Sequence, residues 1–157
     1  MMSRRMSQPT RIGCALAAAG VLIATYAVWP GANKSGPPVE IVLPDGYTGP
    51  VYLIEDKANG TEIRLANGRY LVEMPGNCRL RVKTLEPFQH WHPEALRYAN
   101  GTIVPDEKLV PNADPTRVML RMSNCGVTDG GPVHIEMFVG TDKQVGEFIR
   151  GPRPPLN

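Results

Sequence analysis

The 157-residue chain is poor in aromatic side chains, with three Phe, two Trp and five Tyr, and it holds only three His and three Cys. A small hydrophobic core fits that supply, and one domain of about 100–150 residues is the size class implied. Familiar catalytic signatures are missing too: there is no G-x-S-x-G elbow, H-E-x-x-H zinc motif, phosphate-binding loop or dinucleotide fingerprint. Nor does one sign of charge dominate. The 17 Lys and Arg face 15 Asp and Glu, and three of the basic residues, Arg4, Arg5 and Arg11, lie in a stretch of 29 residues without an acid. The rest of the chain carries 14 basic against 15 acidic groups, a formal charge of −1. No basic stripe is left to displace counterions from phosphates, which argues against nucleic acid as a partner.

Glycine and proline are abundant, at 16 each. Both are costly inside helices, so a helical bundle is excluded and frequent turns between short strands are expected. A hydrophobic content of 42% with 20% charged residues is that of a folded chain rather than a disordered one.

Residues 12–29, IGCALAAAGVLIATYAVW, form an uncharged run directly after the three arginines. A basic flank followed by such a run is a membrane-targeting segment that keeps its amino-terminal side in the cytoplasm and exports the chain beyond Trp29. Eighteen residues lie between the core of a signal peptide and a membrane span of roughly 20 residues. The small-residue pattern for cleavage is poor, which favours an uncleaved anchor in the inner membrane with Trp29 at the interface. The alternative is a secreted or periplasmic protein released by cleavage. Cys14 does not fit a lipoprotein site, because the apolar run comes after it and Arg11 stands where an apolar residue is needed. The expected domains are therefore 1–29 as signal peptide or anchor, 30–38 (PGANKSGPP) as a Pro/Gly linker, and 39–157 as the exported unit.

Within that unit, alternation is the main signal. Val133, Ile135, Met137 and Val139 share one face of a strand and leave His134 and Glu136 on the other. Leu80 and Val82 alternate with Arg79, Arg81 and Lys83; Val118, Leu120 and Met122 alternate around Arg121. Three Asn-Gly pairs, at 59–60, 67–68 and 100–101, supply residues suited to tight turns. The middle pair predicts a hairpin opposing Leu65 to Tyr70 and Ile63 to Val72; the last opposes Tyr98 to Ile103. Strands are expected at 39–43, 50–55, 61–66, 69–74, 78–84, 117–122 and 132–139, with a minor hairpin at 96–104. Thr141 and Gln144 fit a capping box for a helix over 142–150, weakened by Gly146 and stopped at Gly151-Pro152. With no helical crossover between strands, the expected fold is mainly β: a small antiparallel β-sandwich with a short C-terminal helix, preceded by one N-terminal hydrophobic helix.

The stretch Leu43-Pro44-Asp45-Gly46-Tyr47-Thr48-Gly49-Pro50-Val51, together with Phe138-Val139-Gly140-Thr141, resembles a bacterial family of small exported proteins known as a domain of unknown function. Many members have lipoprotein character; this chain departs from them in lacking the lipoprotein cysteine. The resemblance implies a β-rich exported domain and brings no activity or catalytic residues with it.

Two groups of residues carry candidate chemistry. Export places Cys78 and Cys125 where disulfides persist, and a bridge between them would stabilise by roughly 2–4 kcal/mol through loop entropy. Their alternative is two separate thiols. His90 and His92, flanking Trp91, project to the same side of an extended chain and suit zinc or copper, with His134 as a third ligand if the fold brings it close. The alternative there is a surface loop bracketed by Pro87 and Pro93. No cofactor is otherwise expected. These features favour a non-enzymatic module of the cell envelope that touches the membrane through residues 12–29 and has an envelope protein as partner. A metal-binding protein and a hydrolase with a loop-borne site are the other readings.

Overall fold

Alternating apolar and polar residues broken by Asn-Gly, Pro and Gly turns build nine strands and one α-helix in a computed structural model that describes residues 36–89, 92–127 and 131–156. The chain divides into Met1–Ala32 and Asn33–Asn157, and the described residues all belong to the second unit. The expected targeting segment at 12–29, with its hydrophobic helix, and His90 lie outside the described residues. Among the described residues no helix is long and apolar enough to cross a membrane.

The strands are β1 (Val39–Leu43), β2 (Gly49–Glu55), β3 (Arg64–Ala66), β4 (Arg69–Glu73), β5 (Arg79–Val82), β6 (Glu94–Tyr98), β7 (Ile103–Val104), β8 (Met119–Val127) and β9 (Val133–Gly140), followed by α1 (Asp142–Arg150). They form a five-stranded sheet in the order β3-β4-β1-β6-β7 and a four-stranded sheet in the order β5-β2-β9-β8. Val39, Ile41, Leu43, Val72, Leu96 and Val104 of the first sheet meet Val51, Leu53, Leu120, Ile135, Met137 and Val139 of the second in one hydrophobic cluster.

Both sheets are mixed, which corrects the expectation of antiparallel pairing. β1 pairs in parallel with β4 and with β6, and β2 in parallel with β5; β2–β9, β3–β4, β6–β7 and β8–β9 are antiparallel. Parallel neighbours need a long crossover, usually a helix. Here strands of the opposite sheet supply it. Between β1 and β4 the chain passes through β2, and between β2 and β5 through the β3–β4 hairpin.

The hairpin registers hold in one place and slip in others. Asn67 and Gly68 have φ of 51° and 76°, closing the two-residue hairpin that opposes Leu65 to Tyr70. Ile63 precedes that ladder, so its expected pairing with Val72 is not made. At Asn100-Gly101, however, Tyr98 N donates to Thr102 O, Gly101 takes φ of 88°, and Arg97, not Tyr98, faces Ile103. A one-residue slip turns a side chain to the other face. Ile103 accordingly points away from the core and is 74% exposed. In β8 the ladder shifts between Leu120 and Met122. This bulge at Arg121 places Leu120 in the core but pairs Met122 with Phe138 on the opposite face, breaking the expected alternation.

The helix forms as its cap foretells. Thr141 Oγ1 accepts from Gln144 N at 3.4 Å, and Gln144 Oε1 accepts from Thr141 N at 2.9 Å. Phe148 meets Phe138 with ring centroids 5.0 Å apart, whereas Ile149 is 56% exposed.

Candidate functional site

The outward face of the four-stranded sheet carries a row of polar side chains. On β2, β5 and β9 the residues alternating with core positions are Tyr52 and Ile54, Arg79 and Arg81, and His134 and Glu136. Arg79, Tyr52 and Glu136 form a linked row across the strands. Arg79 lies over the Tyr52 ring at 5.0 Å, Tyr52 Oη donates to Glu136 Oε1 at 3.0 Å, and Arg153 Nη1 reaches the same oxygen at 3.1 Å. Tyr52 is buried, and lost hydration followed by the Glu136 carboxylate pushes its hydroxyl up to about 12, so it stays a donor at neutral pH.

A cleft of about 400 Å³ opens beside β5, lined by Ile54, Asn59, Thr61, Asn77, Arg79 and Arg81 among others. The loop entering it is pinned by Gly60. A Cβ there would lie 2.3 Å from the Val82 carbonyl carbon and 2.5 Å from Lys83 N, so only glycine permits this approach to β5. Asp56 organises the same loop: Oδ1 accepts from Asn59 N at 3.0 Å and Oδ2 from Arg81 at 3.2 Å. The backbone donor from Asn59 leads, with Arg81 adding, in holding the Asp56 carboxyl below its ordinary range.

A second cleft, of about 250 Å³, lies on the five-stranded sheet where β6 and β7 meet the 105–110 segment. It is largely apolar, lined by Leu96, Ile103, Leu109 and Val110, with Glu94 and Asp106 as its acids. Leu109 is 79% exposed. Glu94 is exposed as a residue, yet neighbouring chain crowds its carboxyl, and that lost hydration raises its pKa. His92 opposes the rise, Asp106 adds to it and Lys108 opposes it.

Of the sequence-derived metal ligands, His90 lies outside the described residues, and His92 and His134 are carried by different segments of the fold. His92 sits just before β6, its ring edge-on to Phe88 at 5.4 Å. His134 is on β9 of the other sheet, 7% exposed, with Nδ1 3.1 Å from Pro132 O. His92 thus leads into the five-stranded sheet, whereas His134 lies within the four-stranded one and alternates with its core residues Val133 and Ile135. Among the described residues no group of three or more His, Cys, Asp and Glu is placed to hold a metal ion.

Cys78 and Cys125 are both free, the first buried and the second exposed, which corrects the expected bridge. Cys78 immediately precedes β5 and Cys125 is in β8, the two outer strands of a sheet with β2 and β9 between them. Three strand spacings put them roughly 14 Å apart. A disulfide requires Cα atoms within about 7 Å. Burial pushes the Cys78 thiol up to about 11, against a hydrogen bond with Tyr47 that lowers it.

Arg79 and Arg81 were visible in the sequence as basic residues alternating with Leu80 and Val82. Their closure by Asn59 and Thr61 was not, because it depends on a loop folding back onto β5. No family model matches this chain, and no curated protein matches it. Among solved structures, the 2.75 Å crystal structure of a "Putative Lipoprotein from Bacillus anthracis" is similar at 10% identity, over 74% of this chain and 80% of that one, with a TM-score of 0.43. A likeness that loose carries neither function nor fold.

Proposed function

We propose that this protein is a non-enzymatic accessory module of the cell envelope, a small two-sheet sandwich that docks onto another envelope protein. Residues 12–29 tether it to the inner membrane with the amino terminus inside, or deliver it to the exterior if they are cleaved. The uncharged run after Arg4, Arg5 and Arg11 supports that placement.

The observation that carries the docking reading is the pairing of Ile103 and Leu109, 74% and 79% exposed, along one cleft. Single exposed apolar residues are ordinary on a protein surface, whereas large ones gathered in a groove mark an interaction surface. Glu94 and Asp106 line the same groove, so the partner that complements it presents an apolar side chain beside a Lys or Arg.

Replacing both residues, Ile103→Glu with Leu109→Glu, tests this reading in the membrane-bound full-length chain. Affinity capture from envelope extract should recover a partner with the wild-type chain and lose it with the double variant, at unchanged melting temperature. A variant that captures the same partner as efficiently, or wild-type chain that only self-associates, would overturn the assignment.

A further inference from the structure

We propose that the cleft beside β5 binds the oxyanion of a small ligand, a carboxylate or a phosphate, with Arg79 as its anchor. This site is separate from the apolar groove and stands on different observations.

The charge balance of the cleft comes first. Two arginines line it, and one is neutralised locally, since Arg81 pairs with Asp56 at 3.2 Å. Arg79 forms no ion pair among the described residues, and its Nη2 is buried without a hydrogen-bond partner. Glu136, an acid on the same face, is engaged by Tyr52 and Arg153. Unmet donor capacity on a charged, partly buried group is unusual and requires an explanation. An acceptor brought by a ligand supplies one.

Preorganisation comes second. The Tyr52 ring, itself buried beneath Arg79, orients the guanidinium by stacking at 5.0 Å, so less side-chain freedom is lost when an anion arrives. The planar fork of Arg matches two oxygens of a carboxylate or phosphate.

The rest of the lining suits the polar remainder of such a molecule. The Asn77 side-chain oxygen is occupied by Arg79 N at 3.1 Å, which leaves its amide nitrogen to donate. The Asn59 and Thr61 side chains make no hydrogen bond among the described residues, and both line the cleft. Gly60, between them, fixes their distance from β5 through its backbone contact with Val82. A volume of about 400 Å³ is within the range of small-molecule sites.

The test uses the ¹⁵N-labelled full-length chain in detergent micelles, titrated at constant ionic strength with sodium phosphate, sodium glucuronate, and glucose as the uncharged control. Saturable amide shifts confined to residues 59–61 and 77–81 are expected with at least one of the two anions and not with glucose. Saturation by one anion alone identifies the oxyanion and supports the proposal. Arg79→Gln should weaken binding about tenfold or more. Asn59→Ala, which leaves the Arg79 stack intact, should weaken it by about threefold, the scale of one lost neutral hydrogen bond, and decides the matter if Arg79→Gln fails to fold. No saturable shift with either anion, shifts spread over Arg64 and Arg69 as well, or a folded Arg79→Gln chain that binds as tightly as wild type would overturn it.

Discussion

Arg121 is the side chain on which the 107–117 segment depends. Only 1% of it is exposed, and its guanidinium meets Glu107 at 2.6 Å, Asp142 at 2.8 Å, Asp114 O at 2.7 Å and Arg117 O at 3.0 Å. Removing it breaks four contacts of one buried side chain, although the two partly exposed carboxylates are rehydrated, so Arg121→Ala should destabilise the fold by about 2 kcal/mol in chemical denaturation. Lysine cannot reproduce the fork, and Arg121→Lys should recover less than half of that loss. At the same scale, the two cysteines should behave as different reagents. Cys78 is fully buried with its thiol pushed up to about 11, and Cys125 is exposed. Iodoacetamide labelling with peptide mapping should modify Cys125 quickly and Cys78 only after unfolding. Recovery of a Cys78–Cys125 cross-linked peptide from non-reduced protein would contradict the β5-β2-β9-β8 strand order.

At the scale of elements, Glu40 joins three strands of one sheet. It sits on β1 and accepts from Arg69 of β4 at 2.7 Å and from Arg97 of β6. Arg97 first and Arg69 second hold its carboxyl below the ordinary 4.5. A depressed folded value means that this contribution is present above the unfolded pKa and is lost as pH falls through the folded one. Glu40→Gln should therefore cost at most about 1 kcal/mol at pH 7, given solvent screening. The difference from wild type should shrink below pH 4.5 and vanish once Glu40 is protonated. A gap that stays constant from pH 7 to pH 3 would contradict this. The elements themselves were largely legible: β1, β4 and α1 follow from alternation and capping, and Asn67-Gly68 closes the hairpin it predicts. What local pattern could not show were the long-range choices. Nothing near β1 reveals that its neighbours arrive in parallel after a passage through the other sheet. Nor does Asn100-Gly101 reveal which residue will close the turn, and that choice turns Ile103 outward. The bulge at Arg121 is set by partners some distance along the chain. The sites were legible only in part: alternation showed Arg79 and Arg81, while the Gly60 contact that closes their cleft joins backbone from two segments.

For the whole molecule, two mixed sheets share one core and leave two dissimilar surfaces. A polar cleft beside β5 holds Arg79, which has no ion pair among the described residues, and an apolar groove with two acids lies beside β7. The +2 charge of the full chain does not describe the part beyond Trp29, whose 14 basic and 15 acidic groups nearly cancel; partner choice rests on local surfaces instead. Tethering residues 12–29 in the membrane would confine the groove to the envelope side and raise its effective concentration near other membrane-bound proteins. Docking through the groove is tested most directly by photo-crosslinking in intact cells, with a benzoylphenylalanine placed in turn at positions 103, 109 and, on the exposed surface of α1, 143. Positions 103 and 109 should yield one and the same adduct with a second envelope protein, and position 143 should not. Adducts of equal yield from all three positions, adducts with the mass of a self-dimer only, or none from 103 and 109 would contradict the groove as the docking surface.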